Sequence, residues 1–341
     1  WFTLKLKCLI TAAFNPEGLE ILGKYMEIHY ESWRKTRRFY WGSEILKRMS
    51  EINANALIVE VDAIDEDAVE KANPEFIGCC REGVSNIAVD TATDLGIPVF
   101  YTPGRNSDAV ADLTIGHIIS SLRRMTLADR ILRSGIEIES QEGFIKYYNR
   151  LTGHEISGNT IGIIGLGKIG TKVAQRLRGF DVTLLVYDPY VKKERIKEIG
   201  GMGVDLETLL RESDIITVHC VVNPETIDLI GEDEISLMKP TAFLFNLASS
   251  VIVNEQALYQ ALKEKRIAGA GLDVFDREPV DSDNIFLDLD NVTITPHIGG
   301  ATYEVIRNHT RIISDDIKTY MEGKRPKFVA NPQVLDKARK V

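Results

Sequence analysis

A chain of 341 residues, 44% hydrophobic and 27% charged, has the balance of a folded globular protein and length for two domains of ~150 residues, which sets aside disordered and fibrous classes. The net charge of −9 argues against a nucleic-acid footprint or docking on an anionic membrane, and no window reaches the ~18 apolar residues of a membrane span. The four cysteines, Cys8, Cys79, Cys80 and Cys220, have the spacing of neither a disulfide framework nor a zinc site, which fits a reducing, cytoplasmic setting without a metal.

In chain order, Leu4, Leu6, Cys8 and Ile10 alternate with Lys5 and Lys7, the period of a first strand, not of a signal peptide. A helix near Pro16 to Lys24 and a strand from Met26 to His29 follow. Next, Arg34, Lys35, Arg37 and Arg38 interleave with Trp33, Phe39, Tyr40 and Trp41, a pattern able to pair phosphates with stacked bases. With an acidic chain around it, this segment reads as a solvated loop with a buried aromatic edge. Further strands are predicted at Ala56 to Glu60, Phe76 to Cys80 and Gly96 to Phe100, and strands separated by helices imply a parallel sheet. Asp108 to Arg133 has apolar residues at helical spacing with few breakers, which predicts one long helix bridging domains or subunits. A second alternating series starts at Ile161 and continues through Val182 to Tyr187, Ile215 to His219, Ala242 to Asn246, Gly269 to Val274 and Val292 to Thr295, six strands in all. A last helix, about Tyr303 to Tyr320, leads into a Pro- and basic-rich tail.

The most informative local motif is Gly165-Leu166-Gly167-Lys168-Ile169-Gly170, where an apolar strand runs through G-x-G-x-x-G into a helical pattern. The first glycine permits a tight turn, the second lets backbone approach a pyrophosphate, and the third lets helix and strand pack closely. The next strand ends in Asp188, about 20 residues on. An acid there accepts hydrogen bonds from a ribose diol and repels a 2′-phosphate, so NAD is expected over NADP. The bland alternative is a glycine-shaped βα turn with Asp188 capping a loop.

Four segments together resemble the D-isomer-specific 2-hydroxyacid dehydrogenases, the group of phosphoglycerate dehydrogenase and the glyoxylate or hydroxypyruvate reductases. They are Gly96-Ile97-Pro98-Val99 with Thr102-Pro103-Gly104, the glycine loop, Leu272-Asp273-Val274-Phe275-Asp276-Arg277-Glu278-Pro279, and Thr295-Pro296-His297-Ile298-Gly299-Gly300-Ala301-Thr302. The resemblance covers nearly the whole chain and implies an α/β fold of two doubly wound parallel-sheet domains. A Rossmann coenzyme domain, 105–299, is inserted into a discontinuous flavodoxin-like substrate domain, 1–104 and 300–341, with a dimerisation arm at 108–150 making a homodimer. It also implies hydride transfer between the nicotinamide and C2 of a small 2-hydroxy or 2-oxo acid. His297 matches the acid/base histidine, Glu278 the carboxylate that holds its ring, and Asp273 a position near the nicotinamide carboxamide. His219 and Cys220 match the strand end along which adenosine lies, and Ala248, His297 and Gly299 complete the cofactor contacts. Arg81, Glu82, Gly83 and Val84 lie in a segment similar to the substrate-binding loop. His29, His117, His154 and His309 match no motif and read as surface or core histidines.

One position departs from the pattern. The family's segment of the form Asn-Thr-Ala-Arg-Gly, whose arginine grips the substrate carboxylate, is matched by Asn246-Leu247-Ala248-Ser249-Ser250, with Ser249 in the arginine's place. A guanidinium is a permanently charged planar fork, whereas a hydroxyl is short and neutral. The sequence thus supports an NAD-dependent oxidoreductase, and alternatively an NAD(H)-binding regulatory protein on the same scaffold with little turnover. Arg81 is a candidate replacement cation, or else a surface ion-pair member.

Overall fold

The computed structural model describes residues 6–135 and 140–336, and these divide into two compact units, 1–106 with 302–341 and 107–301. The first holds five parallel strands, β1 (Lys7–Ile10), β2 (Glu27–Tyr30), β3 (Ala56–Val59), β4 (Ile77–Cys79) and β5 (Val99–Tyr101), in the order β2-β1-β3-β4-β5. The central strand β3 is buried on both faces: Ala56 and Ile58 enter one apolar cluster with Phe100 and Ile313, while Leu57 and Val59 enter another with Leu9 and Val99. Period-two side chains thereby feed two layers, and helices cover both faces of the sheet.

The second unit has seven parallel strands, β6 (Thr160–Ile164), β7 (Thr183–Tyr187), β8 (Gly201–Gly203), β9 (Ile215–Val218), β10 (Phe243–Asn246), β11 (Gly269–Leu272) and β12 (Val292–Ile294). Their order is β12-β11-β10-β9-β6-β7-β8, with the strand order reversing at β6. Ligands of such sheets bind beyond the carboxyl ends of the strands at that switch point. Both units are doubly wound parallel α/β sheets, as the sequence predicts. No helix among the described residues is long and apolar enough to cross a membrane.

Three local expectations need correction. The predicted long helix is two, Ser107–Leu122 and Met125–Arg133, because Arg124 takes a left-handed conformation (φ 51°) and the Leu122 carbonyl accepts the His154 N–H. The seventh strand, β8, has no apolar period: it is Gly-Met-Gly on the sheet edge. The aromatic-basic segment is not all loop, since Trp33–Thr36 forms one helical turn, and Tyr40 alone of Phe39, Tyr40 and Trp41 is buried. Its cations lie over its own rings, Arg34 over Trp33 and Arg38 over Tyr40. Lys5 and the other residues of 1–5 lie outside the described residues.

A buried polar cluster anchors the first unit. His309, on the helix Tyr303–Met321, is fully buried; its Nε2 is 2.6 Å from the Ala13 carbonyl and its Nδ1 is 2.9 Å from Arg105 Nη1. A carbonyl only accepts and a guanidinium only donates, so the ring is the neutral tautomer with its proton on Nε2. Burial is the main force that pushes the His309 ring down to about 4. Between the ordinary value near ~6.5 and about 4 the unfolded chain therefore binds a proton that the native ring refuses. This contribution to stability is complete above that window and drains away as pH falls through it. The thermal midpoint should drop more steeply from pH 7 to 5 in this protein than in His309→Gln, whose amide still donates to Ala13; parallel curves would contradict the assignment.

Candidate functional site

At the end of β6 the three glycines do different work. Gly165 has φ 91°, and a Cβ there would lie 2.5 Å from the Cys220 nitrogen; at Gly170 it would lie 2.1 Å from the Gly165 carbonyl oxygen. The fold itself requires both. Gly167 has an ordinary φ of −69°, and its Cβ would meet no atom within 4 Å. Its bareness serves no packing need of the described chain, but leaves space at the start of the helix Lys168–Leu177. That helix has no side-chain cap, and the start of an α-helix is a setting that favours an anion.

Asp188 closes this end of the sheet. Its Oδ2 accepts the Leu166 N–H at 2.7 Å, and its Oδ1 accepts those of Tyr190 and Val191 at 2.9 and 3.2 Å. Leu166, expected among the cofactor contacts, gives its amide to Asp188 and buries its side chain in the core. A cavity of about 220 Å³ is lined by Gly165, Gly167, Asp188, Tyr190, His219 and Cys220. Burial drives His219 down to about 3 and the Cys220 thiol up to about 11. Near neutrality both are uncharged walls, suited to an adenosine face and not to proton transfer. A bare glycine, an uncapped helix start and a carboxylate at the far end together fit a dinucleotide.

The second cluster forms beyond β11 and β12. His297 Nδ1 lies 2.6 Å from Glu278 Oε2, while Glu278 Oε1 accepts the Phe275 N–H at 3.1 Å. The carboxylate accepts at Nδ1, which leaves Nε2 of this exposed ring without a partner among the described residues. The loop beneath hangs on Asp273, only 1% exposed, whose oxygens accept from the Thr295 hydroxyl at 2.5 Å and from the Ile298 and Gly299 N–H groups at 2.8 and 2.7 Å. The resemblance placed Asp273 at a carboxamide; in the structure its hydrogen bonds hold the histidine loop. Gly299 is buried against it, where a Cβ would come within 2.9 Å of Asp273 Oδ2.

Sequence reading missed a member of this cluster. Buried His117 places Nε2 2.9 Å from the Thr295 hydroxyl. That hydroxyl donates to Asp273, so Nε2–H donates to Thr295, and burial lowers the ring from its ordinary range. The available signal was a histidine on the same helical face as Val110, Thr114 and Ile118, a polar residue in a core position.

Ser249 follows β10, which lies between β9 and β11. The Asn246 side chain shapes the turn, accepting the Ala248 N–H at 3.1 Å and donating to the Ser249 carbonyl at 2.8 Å. Ser249 is extended and half-buried, and its side chain caps nothing. In the first unit, the Arg81 carbonyl accepts from the Thr102 N–H and hydroxyl, both at 3.0 Å, and Glu82 accepts the Gly104 N–H. Gly83 has open space around it and Val84 is half-buried. The Arg81 guanidinium makes no hydrogen bond or ion pair among the described residues. Among those residues no group of His, Cys, Asp and Glu is placed to hold a metal ion.

Comparison with known proteins agrees with this geometry. The family model described as D-isomer specific 2-hydroxyacid dehydrogenase, NAD binding domain, matches residues 115–299. A glyoxylate reductase of Thermococcus litoralis is 37% identical, covering 97% of this chain and 98% of the relative. Among solved structures, the apo form of D-lactate dehydrogenase from Escherichia coli has a TM-score of 0.80 at 26% identity, covering 95% of this chain and all of that one. An acyclic imino acid reductase in complex with NADPH and D-Arg has a TM-score of 0.77 at 27% identity, covering 95% of this chain and 99% of that chain.

The open space at Gly167 gives a direct check. Gly167→Val should leave the thermal midpoint within about 2 °C and weaken NADH binding by about tenfold or more, read by fluorescence titration. Unchanged binding would remove Gly167 from the cofactor site.

Proposed function

This chain belongs to the D-isomer-specific 2-hydroxyacid dehydrogenase family, and from that premise we propose that it moves a hydride between NAD and C2 of a small 2-hydroxy or 2-oxo acid. The pair His297–Glu278, at 2.6 Å with Nε2 left free, carries the reading. NAD(H), when bound, supplies or accepts the hydride, and the protein's own task is the proton. During reduction His297 Nε2 gives a proton to the carbonyl oxygen as it becomes an alcohol; during oxidation it takes that proton back. Glu278 keeps Nδ1 engaged, so the reacting nitrogen does not exchange places with the other. Asp273 holds the loop in register, and Arg81 to Val84 supply substrate contacts.

Ser249 favours a second reading. Loss of one preorganised donor to a developing oxyanion typically costs ~10² to 10³ in turnover, so a chain that keeps NAD and loses the grip fits an NAD(H)-binding regulatory protein. The dimer contact is assigned to 108–150, where Leu132, Phe144, Ile145 and Tyr148 expose apolar side chains; residues 136–139 of this arm lie outside the described residues.

NADH consumption should be followed with glyoxylate, hydroxypyruvate, pyruvate and larger sugar-derived 2-oxo acids, in this protein and in Ser249→Arg. The unmodified protein is expected to turn over at least one of them. His297→Asn should lower kcat by ~10² to 10⁴ with NADH affinity intact. NADH binding without turnover, joined to a large gain in Ser249→Arg, would decide for the regulatory reading.

A further inference from the structure

The carboxylate of Asp188 has little capacity left for a ligand. An ionised carboxylate offers about four acceptor places. On Asp188 the N–H groups of Leu166, Tyr190 and Val191 take three of them, whereas a ribose diol brings two hydroxyl donors. A cation also stands at this end of the sheet. Arg195 donates to the Thr171 hydroxyl at 3.4 Å, and that hydroxyl donates to the Leu166 carbonyl at 3.3 Å. The field felt by a 2′-phosphate is therefore not set by Asp188 alone.

A second carboxylate lines the same cavity. Glu225 lies in the turn after β9 and Tyr190 in the turn after β7, and β6 runs between those two strands. Both side chains are exposed at the rim, where the Tyr190 hydroxyl donates to Glu225 Oε2 across the line of β6. Each end of this bond is fixed by its own turn. The Tyr190 N–H is held by Asp188 at 2.9 Å, and the Glu225 N–H by Asn223 Oδ1 at 2.8 Å. Glu225, through its hydrogen bond, and Asp188, through its charge, both raise the Tyr190 hydroxyl above its ordinary range, so two acids flank one protonated donor. Glu225 Oε1 makes no hydrogen bond among the described residues.

We propose that Glu225 is a second determinant of the cofactor: it shares with Asp188 the recognition of the ribose and the rejection of a 2′-phosphate. Tyr190 is then the positioning residue that holds Glu225 over the cavity. This rests on the reading of the cavity as the adenosine end of a dinucleotide site and does not require turnover.

The test is fluorescence titration of NADH and of NADPH into this protein, Glu225→Gln, Tyr190→Phe and Gly167→Val. Glutamine keeps an acceptor and the size of the side chain and removes the charge. The preference for NADH over NADPH should fall about five- to tenfold in Glu225→Gln, through tighter NADPH binding, which is the scale of one like-charge contact near the surface. In Tyr190→Phe, where the acid remains and is no longer held, it should fall about two- to threefold. A Coulombic preference is screened, so from about 50 to about 500 mM salt it should shrink more in the unmodified protein than in Glu225→Gln. An unaltered preference in Glu225→Gln, or an equal change in both affinities, would overturn the proposal and leave the Tyr190–Glu225 bond a surface contact. If Gly167→Val leaves both affinities intact, the reading of the cavity fails and the role of Glu225 with it; if Gly167→Val weakens both while Glu225→Gln keeps the preference, only the role of Glu225 fails.

Discussion

The buried carboxylate of Asp273 is the constraint on which the loop that carries His297 depends. A carboxylate that is 1% exposed is tolerable only when its lone pairs are satisfied, and Thr295, Ile298 and Gly299 satisfy them. His117 braces the Thr295 hydroxyl from the core side. His297 sits within this set of bonds in a left-handed conformation (φ 52°), which costs a non-glycine residue ~1 kcal/mol or more. The cost is sustained because the amides on its C-terminal side are already committed to Asp273 and its own N–H to the Thr295 carbonyl. The ring is thus presented from a loop that has little freedom to turn it away from Glu278.

The dinucleotide end follows a different logic. There the fold's own needs and the ligand's can be separated residue by residue: Gly165 and Gly170 are required by close backbone contact, Gly167 by nothing in the described chain. Asp188 does two jobs at once, ordering the Leu166 and Tyr190 amides while presenting a negative charge to the cavity. The turn around Ser249 is built by Asn246, so the residue at 249 is free to vary without loss of the fold.

Much of the fold was legible because buried parallel strands are short apolar runs, and runs such as Ala56–Val59 and Phe243–Asn246 have no other reading between helical segments. The edge strand Gly201–Gly203 was not, since two glycines carry no period. The helix break at Arg124 was equally hidden. Nothing local forbids a helix through Arg123-Arg124; the break follows from a carbonyl that bonds to a residue 32 positions away. In the site, the glycine loop and Asp188 could be read from spacing, whereas His297 and Glu278 were paired only through resemblance, and His117 was read only as a surface or core histidine.

The sequence by itself determined the layered α/β class, the dinucleotide loop and the absence of an arginine at 249, because each is a matter of local periodicity or of residue identity. The tertiary structure alone decided what holds what. Asp273 became the support of the histidine loop, Leu166 gave its amide to Asp188, and His309 was fixed as a neutral ring between Ala13 and Arg105. Those roles depend on which donors and acceptors meet across long separations in the chain, and hydrogen-bond partnership of that kind has no period to read.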